Sequence, residues 1–380
     1  MARPFLWLSL SRDGKSSPLA AKAGESATVP EVMPYVTSLS YNEQLNAIDE
    51  MSVSLSLPGN AEAYDILELA QLNALYTLEF CRVTNGSLEV VREETGIIKR
   101  AQYRQGVGSW SLSLTGYERI TALKGAPITQ DQYFDTFTKF FTFIAEQIGY
   151  TASVVGLDAK LDEKAKVEVL KGKPQEYNDS VGKTLATVLN DLDFIISSDD
   201  EAKKLTFSAR TVPDGEAVTL RWGEDIQSLD VNVKDEEGFA KSADASVFDL
   251  LKRSEEAIKH TTDDQVIKDL FKEAKEAETT EMRPPDTIDK NDVEGMRSWL
   301  KVVIEKDAAD LVDGSVSCNG VPEAVRGMPM IIENAGWPFT NDSSEAFVIK
   351  QADHSMDPSS GYTTSIQFFA TVPPAFKKPS

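Results

Sequence analysis

Met51, Val53, Leu55 and Leu57 alternate with Ser52, Ser54 and Ser56, and Trp110, Leu112 and Leu114 alternate with Ser109, Ser111 and Ser113. A period of two puts every apolar side chain of such a segment on one face of an extended strand and every serine on the other. No helix satisfies that pattern, so the early part of the chain is committed to half-buried β-sheet. Leu6, Leu8 and Leu10 repeat the device less cleanly, because Phe5 and Trp7 are also apolar. The first ten residues are therefore read as a strand rather than a signal peptide, having only Arg3 ahead of the apolar run and no small-residue cleavage pattern. Pro58-Gly59-Asn60 stops one strand, and Gly106-Val107-Gly108 supplies a turn before another. Between them, Ala63, Ile66, Leu67 and Ala70 predict a short helix over 61–72, followed by strands over 75–83 and at Gly96-Ile97-Ile98. Many short strands with one brief helix describe a small barrel or sandwich.

The period changes at Asp131. Tyr133, Phe134, Phe137, Phe140, Phe141, Ile144 and Ile148 recur every three or four residues, which predicts a helix with a broad aromatic stripe that Gly149 ends. The stripe is read as core, since no basic face opposes it as membrane binding would require. A second helix is expected over 180–193, capped by Asp179 or Ser180, with Val181, Leu185, Val188, Leu189 and Leu192 on one side. A hairpin follows, from 194–197 to 205–209. Gly182-Lys183-Thr184 lacks the upstream glycine and the leading strand of a phosphate loop, so no nucleotide site is assigned there. Ile226, Leu229, Val231 and Val233 mark strands of a further β unit. From 236 to 285 the chain is rich in acids and lysines. Two amphipathic helices are drawn through it, one on Val247, Leu250, Leu251 and Ile258, the other on Val266, Ile267, Leu270, Phe271 and Ala274, with Thr261 and Asp264 as cap. A helix over 292–311 would turn Val293, Met296, Trp299, Leu300, Val303 and Ala308 toward the second β unit. Residues 314–371 return to short apolar runs divided by Gly, Pro, Asn and Ser, and the proline-rich 372–380 is read as extended.

Composition bounds the function. A length of 380 residues allows two or three cores, and no apolar run approaches the roughly 20 residues that span a bilayer. Lys plus Arg number 39 against 61 Asp plus Glu, a formal charge of −22, whereas a grip on nucleic acid needs basic patches that release counterions. Cys81 and Cys318 could make at most one bridge and are read as free buried thiols of a reducing compartment. Only His260 and His354 offer imidazole. His354 beside Asp353 has the chemistry of a metal ligand or a base, but no second His or Cys stands at ligand spacing, and a structural role at a strand end is preferred. Gly-x-Ser-x-Gly, His-Glu-x-x-His and Cys-x-x-Cys are all missing. The neighbouring acids Glu93-Glu94, Asp199-Asp200, Glu255-Glu256 and Asp263-Asp264 point apart in a helix or strand and do not form a glycosidase pair. No cofactor, no metal and no enzymatic activity are expected.

After residue 292 the order of elements resembles the last barrel of the phage tail hub family, the late control D proteins and their relatives in type VI secretion spikes. In that family a helix leads to a strand, a Gly-x-Pro turn, a second strand, an apolar turn, a strand ending at His and a Gly-Tyr-x-Thr strand. Here the turn is Gly320-Val321-Pro322, the histidine is His354, and the final strand begins Gly361-Tyr362-Thr363-Thr364. Leu114-Thr115-Gly116-Tyr117 stands where the family's first barrel ends in Leu-Thr-Gly-Tyr. The resemblance implies structural roles for Gly320, Pro322, His354, Gly361, Tyr362 and Thr364. It also implies a β-rich α+β fold of two tube-like antiparallel β-barrel domains, at 1–125 and 213–380, with a small α+β domain at 126–212 between them. The acidic helical insertion at 236–285 would sit in the second barrel; the family pattern lacks one of that size, which makes it a candidate contact for other baseplate proteins.

The function so implied is that of a homotrimeric baseplate hub in a contractile tail or related injection machine. It would join the sixfold tail tube above to a threefold spike below and line the central channel, within a virion tail baseplate assembled in the bacterial host cytoplasm. No spike repeat follows residue 371, so the spike is expected to be a separate protein. Three acidic copies around a channel would repel phosphate and let DNA pass unheld; solubility is the other use of the excess acid. Two further classes stay open. A carbohydrate-binding adhesin sandwich would expose aromatics in loops, whereas Trp7, Trp110, Trp222, Trp299 and Trp337 lie in or beside apolar runs. A cell-wall hydrolase would need a catalytic set that the motifs do not supply.

Overall fold

A computed structural model describes residues 3–18, 35–44, 48–59, 61–84, 87–118, 120, 131–169, 177–199, 202–209, 216–233, 242–249, 254–261, 280–281, 285–288, 293–309, 312–335, 347–358 and 360–370. The first part holds strands β1 (Arg3–Arg12), β2 (Lys15–Pro18), β3 (Val36–Gln44) and β4 (Glu50–Pro58), helix α1 (Ala61–Leu69), then β5 (Leu75–Thr84), β6 (Ser87–Gly106) and β7 (Ser109–Glu118). The middle holds β8 (Gln132–Phe134), α2 (Phe137–Glu146), β9 (Thr151–Val155), α3 (Ala159–Asp162), β10 (Val167–Val169), α4 (Tyr177–Leu192), β11 (Phe194–Asp199) and β12 (Lys204–Ala209). Then come β13 (Val218–Arg221), β14 (Ile226–Val233), β15 (Ser242–Asp249), β16 (Ser254–Thr261), β17 (Thr280–Glu281), α5 (Val293–Ala309), β18 (Val312–Asn319), β19 (Pro329–Glu333), β20 (Phe347–Asp357) and β21 (Gly361–Ala370).

The alternating segments pair as their chemistry requires. Val53 lies opposite Leu39 on β3 and Leu114 on β7, while Ser54 lies opposite Ser38 and Ser113. The apolar phases of three strands therefore coincide over one core, and a slip of one residue would turn all of them to water. Met51, Val53, Leu55 and Leu57 are buried with Leu6, Leu8, Tyr76, Phe80, Leu112 and Leu114. The ring of Tyr76 occupies the space that Gly96 and Gly116 leave open, which explains the glycine of the Leu114-Thr115-Gly116-Tyr117 segment.

The two β units that the sequence separates are joined by backbone hydrogen bonds. β3 and β20 pair from Gln44 opposite Gln351 to Leu39 opposite Met356. One sheet thus runs β14-β18-β21-β20-β3-β4-β7-β6-β5-β1-β2, with β19 added to β20 and β13 to β19. A second core, including Val316, Ile349, Ile366 and Phe368, lies under its C-terminal strands.

The aromatic stripe is core, as its period predicts: Phe141 stacks on Phe207 at 4.3 Å and on Phe194 at 6.0 Å. Other details differ from the sequence reading. α2 begins only at Phe137, with Thr136 as its cap; residues 132–134 form β8 against β10, leaving Tyr133 66% exposed. α4 begins at Tyr177, so Asp179 and Ser180 lie within its first turn. α5 lies against α3 and the β15–β16 hairpin. Met296, Trp299 and Leu300 enter the core of the middle segment, where Ser298 donates to Asp158 at 3.3 Å and Lys306 to Asn190 at 3.1 Å.

The insertion also departs from expectation: its first predicted helix is an antiparallel hairpin of β15 and β16. Ser242 to Asp249 fits a period of two as well as a helical stripe, and short apolar runs cannot be assigned by period alone. The second predicted helix, at Val266 to Ala274, and the extended tail lie outside the described residues.

Leu114→Ala should lower stability by about 2–5 kcal/mol, whereas Ser113→Ala on the opposite face should change it by less than about 0.5 kcal/mol. Urea midpoints of the two variants check this directly; equal effects would mean that the alternation does not sort core from surface.

Candidate functional site

Five of the six motif residues meet in one buried network where β3, β6, β20, β21 and the turn after β18 converge. His354 lies on β20 between Tyr41 of β3 and Thr364 of β21. Its Nε2 is 3.1 Å from the Ala324 carbonyl, which can only accept, so Nε2 carries the proton. Nδ1 then accepts from the Tyr362 hydroxyl at 2.7 Å. Thr364 Oγ1 accepts from the Val321 N–H at 2.9 Å, and the Gly320 N–H donates to the Tyr362 carbonyl at 2.9 Å. A Cβ on Gly320 would overlap the Tyr362 ring. Gly361 is needed for another reason: its φ of +75° lies in the left-handed region at the β20–β21 turn.

Arg92 closes the network from β6. Its Nε–H donates to the Pro322 carbonyl at 3.0 Å, Nη1 to Glu94 Oε1 at 3.1 Å, and Nη2 pairs with Glu43. The guanidinium carbon stands 3.7 Å from the centre of the Phe80 ring, whose edge-to-face contact with His354 is 4.9 Å. His354 Nε2–H also reaches Glu43 Oε1 at 3.4 Å, so histidine and arginine share one carboxylate. Glu43 is 2% exposed and His354 0%. Burial pushes the Glu43 carboxyl up, but the Arg92 charge and the hydrogen bonds from His354 and Arg92 outweigh it and hold the group at about 2. Burial drives His354 the other way, below its ordinary 6.5, with Arg92 adding to the fall and Glu43 opposing it.

The same turn carries a second cluster. Arg326 ion-pairs with Asp49 and with Glu118 Oε2 at 3.5 Å. The Asp49 N–H donates to Glu118 Oε1 at 3.3 Å, Tyr41 OH donates to Asp49 Oδ2 at 3.4 Å, and Ser198 Oγ donates to Glu118 Oε2 at 3.4 Å. Ser198 belongs to β11, so this cluster ties the middle segment to strands from both ends of the chain.

Sequence reasoning missed Arg92, Glu43, Asp49, Glu118 and Arg326. A signal existed for two of them. Glu43 follows Leu39 and Tyr41, and Glu118 follows Leu112, Leu114 and Gly116, each in the inward phase of its strand. A carboxylate in phase with buried residues needs a buried cation, and the sequence alone does not say which. His260 lies on β16 opposite Ala243, away from these residues in the pairing. Gly182-Lys183-Thr184 lies inside α4. Cys81 and Cys318 are free and buried, and burial pushes each thiol up to about 12. Trp7 and Trp299 are buried, Trp222 is 45% exposed, and Trp337 lies outside the described residues.

Among the described residues no group of three or more His, Cys, Asp or Glu side chains could hold a metal, and no helix is long and apolar enough to cross a membrane. The chemistry of the network is cohesive: every polar atom of His354 and the Arg92 guanidinium is spent on holding strands and a turn together.

The sequence matches no protein-family model and no curated protein. The fold does have solved counterparts. The 43 kDa tail protein of prophage MuSo2 from Shewanella oneidensis superposes with a TM-score of 0.58 at 12% identity, covering 96% of this chain and 98% of its own. A tail protein from Neisseria meningitidis MC58 gives 0.54 at 12% identity and 96% of both chains. The E. coli c3393 protein, a component of the type VI secretion system with structural similarity to the T4 tail proteins gp27 and gp5, gives 0.53 at 10% identity, over 91% of this chain and 76% of its own. The chain has the phage tail protein fold. At such identities the likeness is one of fold, and the tail protein fold extends along nearly the whole chain, middle segment included.

Arg92→Met should destabilise this tail protein fold by about 3–5 kcal/mol, because Glu43 is left buried without its cation; adding Glu43→Gln should recover much of the loss. Denaturant titration of the single and double variants tests the pairing, and a double variant no better than the single would sink it.

The pH dependence has a definite sign. His354 stays neutral in the folded chain while the unfolded chain takes up a proton near its ordinary 6.5, so its contribution is complete above pH 6.5 and is lost as the pH falls toward the folded value. Glu43, lowered from 4.5 to about 2, adds a second loss from pH 4.5 downward. Stability measured between about pH 7 and pH 5 should therefore fall with acidification, and His354→Gln should flatten that stretch. A slope unaltered by the substitution would assign the titration elsewhere.

Proposed function

We propose that the chain is the baseplate hub of a contractile tail or related injection machine. Three copies form a ring that joins a sixfold tail tube to a threefold spike, and the continuous sheet lines the channel between them. In this reading 1–125 and 213–380 are tube-like barrels, 126–212 is the small domain between them, and the spike is a separate protein. The buried network around Gly320, Pro322, His354, Tyr362 and Thr364 locks the two β units together, Gly361 shapes the β20–β21 turn beside it, and neither performs catalysis. The 236–285 insertion is offered to other baseplate proteins.

One observation carries this: the face of the sheet turned away from its cores. A row of cross-strand neighbours runs Thr115, Ser52, Ser40, Ser355, Thr363, Asn319 over six strands. The adjacent row runs Glu50, Asn42, Asp353, Ser365, Ser317, Ser228. Short hydroxyls, amides and a few acids keep these two rows hydrated, offer no apolar patch for adhesion and put no cation within them; the arginines of this face, Arg100 and Arg104, stand beyond the end of the rows on β6. That is what a wall needs if a polyanion is to slide past it. The likeness of the fold to solved phage tail proteins supports the same reading.

Electron cryomicroscopy of the assembled tail tests it. Three copies about the axis with the serine rows toward the lumen are expected. A single copy off the axis, or the rows turned outward, would overturn the reading.

A further inference from the structure

From β14 to β6 the sheet is an unbroken antiparallel run of eight strands, β14-β18-β21-β20-β3-β4-β7-β6. Among the described residues both of its ends present strand edges that no further strand covers. At one end β14 pairs with β18, and its other side is met among the described residues only at its first residue, by the isolated bridge of Ile226 to Trp222. At the other, the β5 ladder stops at Leu75 opposite Ile97, so residues 99–106 of β6 pair only with β7 among the described residues. An open edge is a template for another strand unless something blocks it.

The two edges carry opposite charge. In a chain of net −22, residues 99–106 hold Lys99, Arg100 and Arg104, all exposed. Arg100 and Arg104 lie opposite Thr115 and Ser111, on the hydroxyl face. β14 has Asp230 on that same face, opposite Ser315, and the turn before the strand holds Asp225 and the exposed Glu224, the latter 3.8 Å from Arg221. Charge alone could merely blunt an edge, but both edges also expose large apolar side chains. Tyr103 is 46% exposed and Val107, at the β6–β7 turn, fully so; Trp222, in the turn leading to β14, is 45% exposed. Aromatic anchors beside arginine are the composition of an interface.

We propose that copies of this chain join head to tail, the 99–106 half of β6 lying against β14 of the next copy with Arg100 and Arg104 facing Asp230. Eight antiparallel strands leave the outer two running in opposite directions, so a copy added at either end continues the antiparallel ladder. Cations meeting cations or acids meeting acids repel, which selects the head-to-tail contact over a twofold one. A contact of that type closes into a ring or continues as a filament. This assigns the interface of the ring proposed above and rests on that reading.

Charge reversal in the full chain tests it, with mass followed by light scattering and sedimentation. Arg100→Glu with Arg104→Glu, or Glu224→Lys with Asp230→Lys, should each weaken assembly by about tenfold or more. All four changes in one chain should restore it, because the edges are again complementary. Raised salt should weaken the native assembly. The positions are exposed, and unchanged melting temperatures establish that each variant is folded. If the native chain forms trimers that neither reversal disturbs, or if the fourfold variant stays as weak as the parents, the edge assignment is wrong and the ring reading stands. If the native chain is monomeric both in solution and in the assembled tail, the ring reading itself fails.

Discussion

Arg92 is a guanidinium drawn out of water into the angle between strands from opposite ends of the chain, and the fold tolerates it because each of its three nitrogens finds an acceptor. Glu43, Glu94 and the Pro322 carbonyl take its protons, and the Phe80 ring covers its face. Desolvating such a pair can cost as much as the attraction returns, so its value need not be net stability. Its consequence is geometric. The acceptors come from β3, β6 and the turn after β18, and His354 adds β20 and, through Tyr362, β21. No subset of these segments satisfies the group, so the pair ties β20 to β3 in one register.

That register decides what each face of the sheet becomes. With His354 opposite Tyr41, the inward phase of β20 continues the inward phase of β3, and Ser355 falls in line with Ser40. The hydroxyl rows then cross the junction between the two β units without interruption. The same pairing makes one long antiparallel run out of two shorter ones and so sets where its open ends lie. The cluster around Arg326 extends the argument to the middle segment through Ser198 of β11. One turn, from Gly320 to Met328, thereby touches all three parts of the chain.

Much of the local structure was legible because it depends on period. The serine alternation of β4 and β7, the aromatic stripe of α2 and the turn residues around β18 and β21 each describe one element and its buried side. The motif residues were legible as a set, but their chemistry was not. Gly320 is there to admit the Tyr362 ring and Gly361 to supply a positive φ, and the two identical letters give no hint of the difference. The β15–β16 hairpin was misread because a run of that length fits both periods, and α5 because an amphipathic stripe names a buried face without naming what buries it.

What the sequence by itself determined is therefore the type of most elements and the side each one hides, since those follow from spacing along a single segment. Which strand became whose neighbour was decided only in three dimensions. Glu43 and Arg92 are 49 residues apart and His354 another 262 beyond Arg92. Charge, size and period say that each must find a buried partner, but only the closure of β20 onto β3 brings those partners within reach, because burial is a property of the assembled sheet and not of any strand in it.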